Sequence, residues 1–410
     1  MTKKTCRFCD TSLMDVFIDL GMSPLANSFI KDEKKFNEEL FFPLIVFVCK
    51  KCFLVQLQEF ESPENIFGDY AYFSSFSDTW LKHSEEYVEL MIERYGFNED
   101  SLVIEIASND GYLLQFFKKK GIPILGIEPA ANVAKNAEKK GILTLVKFFG
   151  VETAKELFDK NQQADLITAN NVLAHVPNLN DFVKGLKILL KPKGIITIEF
   201  PHLLELIQQN QFDTIYHEHF SYFSFLTVQK IFTYHNLTIF NVEKLATHGG
   251  SLRIFVRHSE NNELGISKRV EQLLEDERKF GLDKLSTYSS FSEKVEFIKN
   301  SLLEFVSTAK KQNKKIVGYG AAAKGNTLLN YCNIGRDHVD YVVDRSSHKQ
   351  GTFLPGTHIS VLNPEEIKKT KPDYVLILPW NLREEIMGQL NFIREWGGKF
   401  VISIPEVKIY

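Results

Sequence analysis

Two CxxC pairs stand near the start of the chain, Cys6/Cys9 and Cys49/Cys52. No other feature of the sequence restricts its folding as tightly. Two intervening residues let one tight turn aim both thiols at one point, and two such turns close a tetrahedral four-sulfur site. Arg7, Lys50 and Lys51 lie inside the pairs, where cations suit the negative charge of a tetrathiolate. A redox CxxC would use one pair inside a thioredoxin-like βαβ pattern, which is absent. The expectation is a structural Zn2+ on Cys6, Cys9, Cys49 and Cys52, with no open coordination position. Cys332 stands alone and reads as a packed core thiol.

A chain of 410 residues predicts two or three domains at about 100–200 residues each. The formal charge of −3 argues against non-specific nucleic-acid binding and against a basic membrane-surface protein. No apolar run is long enough for a membrane span; the best, Leu40 to Val48, is short and holds Pro43. The first residues, MTKKTCRFCD, lack the apolar core of a signal peptide. A cytosolic location follows as the expectation, and there the thiols stay reduced.

From Ser101 onward strands alternate with helices, which predicts a parallel α/β sheet. The strands are read at Leu102 to Ile106, in ILGIEP ending at Glu128, within Asp165 to Val176, and within Lys193 to Pro201. Such sheets hold ligands at the carboxyl ends of their strands. Glu105 closes the first strand, and Ala107, Asn109 and Gly111 lie in the loop after it. Glu128 can accept hydrogen bonds from both hydroxyls of a ribose, and Asn170 and Asn171 end a later strand. An acidic residue on the second strand also binds ribose in nicotinamide enzymes, but the GxGxxG fingerprint is missing from this loop.

Further on, YHEHFSYFS (Tyr216 to Ser224) sets two imidazoles around a carboxylate with phenols at either side. Its H-x-H spacing does not match the helical HExxH metal motif. Burying so many titratable groups without a task is costly, which points to catalysis. Residues 259–313 read as charged connecting helices. A second strand–glycine turn–helix follows, Ile316 to Tyr331. Its Gly318-x-Gly320-x-x-Ala323 pattern with Lys324 suits a phosphate at a helix start. Strands at DYVVDRS and DYVLILP then complete a second α/β domain. The predicted boundaries are a zinc-binding module at 1–66, a Rossmann-like domain at 67–258 and a C-terminal α/β domain at 259–410.

The EIASNDG loop, with Ala107 and Asn109 where E/D-x-G-x-G-x-G places glycines, and the later strand segments resemble class I S-adenosylmethionine-dependent methyltransferases. With the double CxxC, LGMSPLANSF (Leu20 to Phe29), YHEHFSYFS and GYGAAAKG, the resemblance sharpens to the zinc-containing nucleotide-sugar C-methyltransferases, and it spans nearly the whole chain. It implies methylation at C3 of a nucleotide-diphospho-4-keto-6-deoxysugar, dTDP-linked first, with GDP and CDP as alternatives. His219 would be the base, with Tyr216 and Glu218 positioning it or stabilising an enolate. His175 would donate to the keto oxygen or hold the sugar, against the alternative of a helix-cap contact beside Pro177. S-adenosylmethionine would be held by Glu105, Ala107, Asn109, Gly111, Glu128, Asn170 and Asn171, with Tyr70 and Tyr72 lining its pocket. Tyr222, Gly320, Ala322, Lys324 and Asn326 would bind the sugar nucleotide, the last four at its diphosphate. Three rivals stand beside this reading: an NAD-dependent sugar dehydrogenase or epimerase using Gly318 to Ala323, a non-catalytic adaptor, and an O- or N-methyltransferase on a sugar nucleotide.

Overall fold

A computed structural model describes residues 4–60, 74–76 and 78–410. Two compact units make up the chain, and both are discontinuous in sequence. The first comprises Met1–Leu13, Cys49–His202 and Phe220–Asp283; the second comprises Met14–Val48, Leu203–His219 and Lys284–Tyr410. The N-terminal stretch read as one zinc-binding module thus contributes its cysteines to the first unit and residues 14–48 to the second. Among the described residues no helix is long and apolar enough to cross a membrane.

The first unit is built on a seven-stranded sheet. Its strands are β1 (Val103–Ile106), β2 (Ile124–Ile127), β3 (Thr144–Leu145), β4 (Ala164–Asn170), β5 (Leu190–Pro201), β6 (Leu237–Leu245) and β7 (Ser251–His258). Their spatial order is β6-β7-β5-β4-β1-β2-β3. β5, β4, β1, β2 and β3 run parallel, while β7 is antiparallel to both of its neighbours. All four residues of β1 are buried, as both faces of a parallel strand are covered. Helices fill the crossovers, among them Ala131–Lys139 and Val151–Asp159. One core gathers Val88 and Met91 of helix Asp78–Tyr95 with Leu113, Phe117, Leu166, Ile195 and Phe255.

The second unit carries a six-stranded sheet: β8 (Ile316–Tyr319), β9 (Val342–Val343), β10 (Val361–Leu362), β11 (Tyr374–Ile377), β12 (Lys399–Ile402) and β13 (Lys408–Ile409). The order is β10-β9-β8-β11-β12-β13, parallel except for the final hairpin. Its core joins Val317, Val343, Ile377, Ile393 and Phe400. An antiparallel ribbon, Asp15–Ser23 with Phe42–Val48, belongs to the same unit. There Phe17 stacks on Phe291 at 4.8 Å between ring centroids.

The four cysteines fold as two matching knuckles of the first unit. In each, a backbone N–H four residues on donates to the first cysteine's carbonyl: Asp10 to Cys6 at 3.0 Å and Phe53 to Cys49 at 2.8 Å. Asp10 and Phe53 both adopt left-handed φ, 57° and 65°, which closes each turn right after its second cysteine. The four sulfurs lie within 4.8 Å of one another, with Cys6–Cys52 and Cys9–Cys49 both at 3.5 Å. A zinc–sulfur bond of about 2.3 Å gives a tetrahedral edge near 3.8 Å, so these sulfurs fit that ion.

The knuckles are tied to the sheet's helices. Arg7 donates to Pro177 O at 2.8 Å and also to Leu57 O. Asn180 donates to Phe8 O at 2.9 Å, and the Thr227 hydroxyl donates to Cys52 O at 3.1 Å. Gln56, a few residues past the second turn, clasps the first, accepting from Arg7 N at 2.9 Å and donating to Cys6 Sγ at 3.2 Å. Cys49→Ser should therefore release zinc, read by elemental mass spectrometry, and lower the thermal midpoint by several degrees, because a structural metal site contributes directly to folding. Unchanged stability in the zinc-free variant would show that the metal does no structural work.

Candidate active site

The loop after β1 explains why three of its positions usually carry glycine. Ala107, Asn109 and Gly111 all have left-handed φ, at 53°, 50° and 76°. A non-glycine residue in that region costs on the order of 1–2 kcal/mol. At Gly111 substitution is also blocked by space, since a Cβ would lie 2.3 Å from Ile142 Cδ1. Asn109 recovers part of its cost through its side chain, whose Oδ1 accepts from Ser74 N at 2.9 Å.

Glu128, just past β2, holds the same loop. Its carboxylate accepts from Asn109 N at 3.0 Å and from Ala130 N at 2.9 Å, leaving further lone pairs on both oxygens. Burial raises its pKa against those two bonds. Glu105 is fully buried, and burial, with Asp110 and Glu128 nearby, drives its pKa well above the carboxylate range despite the Tyr112 phenol. Asn170 ends β4 with both side-chain polar atoms buried and unpartnered among the described residues. Asn171 follows at φ 56°. Its Nδ2 bonds His248 Nε2 at 3.2 Å, and its Oδ1 is also buried without a partner. Glu105, Ala107, Asn109, Gly111, Glu128, Asn170 and Asn171 thus gather along one carboxyl edge of the first unit's sheet. Unpaired buried amide atoms and a carboxylate with spare lone pairs are what an adenosine ligand with an amino-acid arm requires. Tyr70 and Tyr72 lie outside the described residues.

His175 sits half-buried at the end of the short turn Leu173–His175, directly after β4. The cap of the next helix, Leu179–Leu189, is Asn178, whose side chain accepts from Asp181 N. Tyr222 is buried in a short strand of the first unit, opposite Val55.

Tyr216 to His219 belong to the second unit. The His219 Nδ1 lies 2.9 Å from Thr214 O, and its backbone N–H donates to Tyr216 O at 2.9 Å. A carbonyl can only accept, so Nδ1 carries a proton, and in the neutral ring the lone pair is on Nε2. The Tyr216 ring packs on the imidazole at 4.1 Å between centroids. His217 is held differently, with Nε2 3.3 Å from Pro43 O and burial lowering its pKa. Glu218 is buried and accepts from Asn27 Nδ2 at 2.6 Å. Burial pushes its carboxyl up to about 7, against the pull of Asn27 and Lys349.

Lys349 and Asp213 stand in no sequence motif. Asn27 lies within the LGMSPLANSF phrase and reaches Glu218. Lys349 donates to Ala321 O at 2.7 Å, packs over the Phe29 ring at 5.2 Å and has its pKa lowered by burial. Asp213 is fully buried and accepts from Trp380 Nε1 at 2.8 Å. Burial lifts Asp213 to about 6, although Lys324 and Trp380 oppose it. Lys324 bonds Asn381 Oδ1 at 2.9 Å, and its ammonium lies 4.8 Å from the Trp380 ring centre.

The glycine turn after β8 departs from its sequence reading in one respect. The Gly320 N–H donates to Val343 O at 2.7 Å, Ala321 N–H to Asp344 at 2.8 Å and Ala322 N–H to Gly320 O at 2.9 Å. The donors expected from Gly320 and Ala322 are thus used inside the turn. Gly320 is needed because Pro379 fills the space of a Cβ, at 2.5 Å. Donors for an anion fall instead to the first turn of helix Ala323–Tyr331, whose N–H groups have no intrahelical acceptor, and to Lys324. Asn326 is buried and donates to Ala26 O at 2.6 Å, which fastens the Leu20 to Phe29 segment.

Comparison with known proteins agrees with this architecture. Three family models match in succession: a zinc binding domain over residues 6–67, a methyltransferase domain over 80–242 and a C-methyltransferase C-terminal domain over 246–405. The C-methyltransferase NovU of Streptomyces niveus is 34% identical over 405 residues, covering 98% of this chain and 96% of its own length. A ubiquinone biosynthesis O-methyltransferase of Rhodopseudomonas palustris (strain BisA53) is 28% identical over 100 residues, which is 23% of this chain and 38% of that protein. Among solved structures, magnesium protoporphyrin IX methyltransferase from Synechocystis PCC 6803 with bound SAM is 14% identical, covering 48% of this chain and 89% of its own, with a TM-score of 0.35. The similarity along the whole of NovU, with the three domains matched in order, makes this chain a member of the zinc-binding, S-adenosylmethionine-dependent C-methyltransferase family.

Proposed function

We propose that this enzyme methylates C3 of a nucleotide-diphospho-4-keto-6-deoxysugar, by way of an enolate. S-adenosylmethionine supplies an electrophilic methyl group when bound. The chain's own residues must make a carbon nucleophile, and a C–H becomes acidic only beside a carbonyl. The observation that carries the reading is the His219 geometry: Nδ1 bonds Thr214 O, which in the neutral ring puts the basic lone pair on Nε2. Its Nε2 takes the C3 proton, and the electron pair moves onto the keto oxygen. Glu218, with a pKa about 7, is largely protonated just below neutrality and donates to the developing oxyanion. Asn27 fixes the orientation of that carboxyl, and Tyr216 holds the imidazole plane. His175 and Tyr222 contact the sugar. Lys324, oriented by Asn381 and Trp380, meets the diphosphate together with the first helical turn after it. A dTDP-linked substrate is the first choice, and a nucleotide-linked substrate suits a cytosolic enzyme.

Two predictions test this. His219→Ala should abolish solvent-deuterium exchange at C3 of the ketosugar, followed by mass spectrometry without the methyl donor, while donor binding by calorimetry stays intact. Exchange at the native rate would move the base elsewhere. With the donor present, the native enzyme should add one methyl on carbon; a methyl found on oxygen or nitrogen would overturn the assignment of the acceptor.

A third prediction concerns Glu218. Its folded pKa of about 7 lies above the ordinary carboxylate range, so between about pH 4.5 and 7 the folded protein holds a proton that the unfolded chain has released. Stability from this group falls as pH rises through that window and levels off above it. Glu218→Gln removes the ionisation while keeping an acceptor for Asn27. Relative to the parent, it should gain about 2–3 kcal/mol between pH 5 and pH 8, measured by chemical denaturation at both. It should lose most of its turnover. A pH-independent difference would mean that Glu218 stays charged throughout.

A further inference from the structure

A strained histidine stands at the ligand edge of the first unit. His248 lies in the turn between β6 and β7. Ser251, which opens β7, pairs with Pro201 at the end of β5, and His202 N–H donates to Gly250 O at 3.0 Å. The turn therefore falls at the same carboxyl edge as Asn170 and Asn171. Its backbone is left-handed at three successive residues: His248 at φ 55°, Gly249 at 90° and Gly250 at 117°. Two glycines adopt this conformation readily, whereas a histidine is strained there. Strain of this kind persists only where surrounding contacts impose it.

Those contacts lead to Asn171. The His248 Nε2 accepts from Asn171 Nδ2 at 3.2 Å, and the Trp80 ring lies 5.3 Å from the imidazole. An amide has its donor and acceptor on opposite sides. With Nδ2 turned to His248, Oδ1 points the other way, buried and without a partner among the described residues. Beside it, Asn170 is 8% exposed, and neither its Oδ1 nor its Nδ2 finds a partner. The end of β4 thus presents two buried acceptors and one buried donor, each costly while unpaired.

The sheet order says which part of the donor arrives there. β4 and β2 flank β1, so the ends of β4 and β2 lie about 10 Å apart at ordinary strand spacing. A donor whose ribose sits on Glu128 and which crosses the left-handed loop of β1 carries its amino-acid arm to the end of β4. That arm ends in an ammonium, which needs acceptors, and a carboxylate, which needs donors.

We propose that His248 is a positioning residue for the methyl donor: it locks the Asn171 amide so that Oδ1 faces the donor's α-ammonium. This rests on the assignment of Glu128 and the Asn pair to the donor, and the test separates the two. Calorimetry on the full-length zinc protein compares S-adenosylhomocysteine with 5′-methylthioadenosine, which keeps the adenosine and sulfur but lacks the amino-acid arm. His248→Ala should weaken S-adenosylhomocysteine about tenfold while leaving methylthioadenosine within twofold, which also shows that the site still folds. His248→Gln, whose Oε1 can accept the same bond, should recover most of the loss. Equal weakening of both ligands, or no change in either, would overturn the proposal. Glu128→Ala should weaken both ligands together; if it leaves both unchanged, the ribose assignment on which the proposal stands has failed.

Discussion

Four cysteine sulfurs within 4.8 Å of one another cannot all carry charge unless a cation lies among them. That requirement organises the start of the chain. Segment 14–48 leaves the first unit after one knuckle and re-enters it at the other, so the metal binds together the two points where the chain departs and returns. Arg7, Gln56, Asn180 and Thr227 carry the constraint onward to the helices that cover the sheet. The site has four protein sulfurs and hence no place for a substrate, and its work is mechanical.

The loop between β1 and the next helix shows how far local sequence can be read. The pattern E/D-x-G-x-G-x-G is a statement about backbone, not about glycine as such. Ala107 and Asn109 keep the left-handed conformation without glycine, and the bonds of Asn109 to Ser74 and Glu128 recover part of its cost. The alternation of strand, small-residue turn and helix made the parallel sheets legible, because a buried strand and an amphipathic helix have distinct periods. The doubled CxxC made the metal site legible for the same reason: spacing alone determines whether thiols converge.

Other features left no local trace. The discontinuity of the two units comes from long-range packing, which no periodicity records. Asn27 and Glu218 meet from distant parts of the chain, as do Asp213 and Trp380. The glycine turn after β8 invited a phosphate reading for Gly320 and Ala322. Only the register of β8 against β9, which places Val343 O and Asp344 beside the turn, reveals that those N–H groups are already used. His248 was signalled only by the Gly249–Gly250 pair after it, since consecutive glycines mark left-handed backbone.

The second unit keeps acids and bases alike where burial works against their charge. Glu218 and Asp213 are lifted to about 7 and about 6, while Lys324 and Lys349 are pulled below the usual lysine range. Burial drives acids and bases toward the neutral form from opposite sides, so both come closer to exchanging protons at physiological pH. Apolar side chains would give a more stable unit, because removing charges from water costs more than such pairs return. An oxygen or nitrogen acceptor already holds a lone pair and needs little beyond orientation and the loss of one proton. A carbon acceptor has none: it needs a base at the C–H and a protonated group at the carbonyl, both ready at the same pH. His219, its Nδ1 bonded to Thr214 O, stands next in sequence to Glu218, whose buried carboxyl titrates near neutrality.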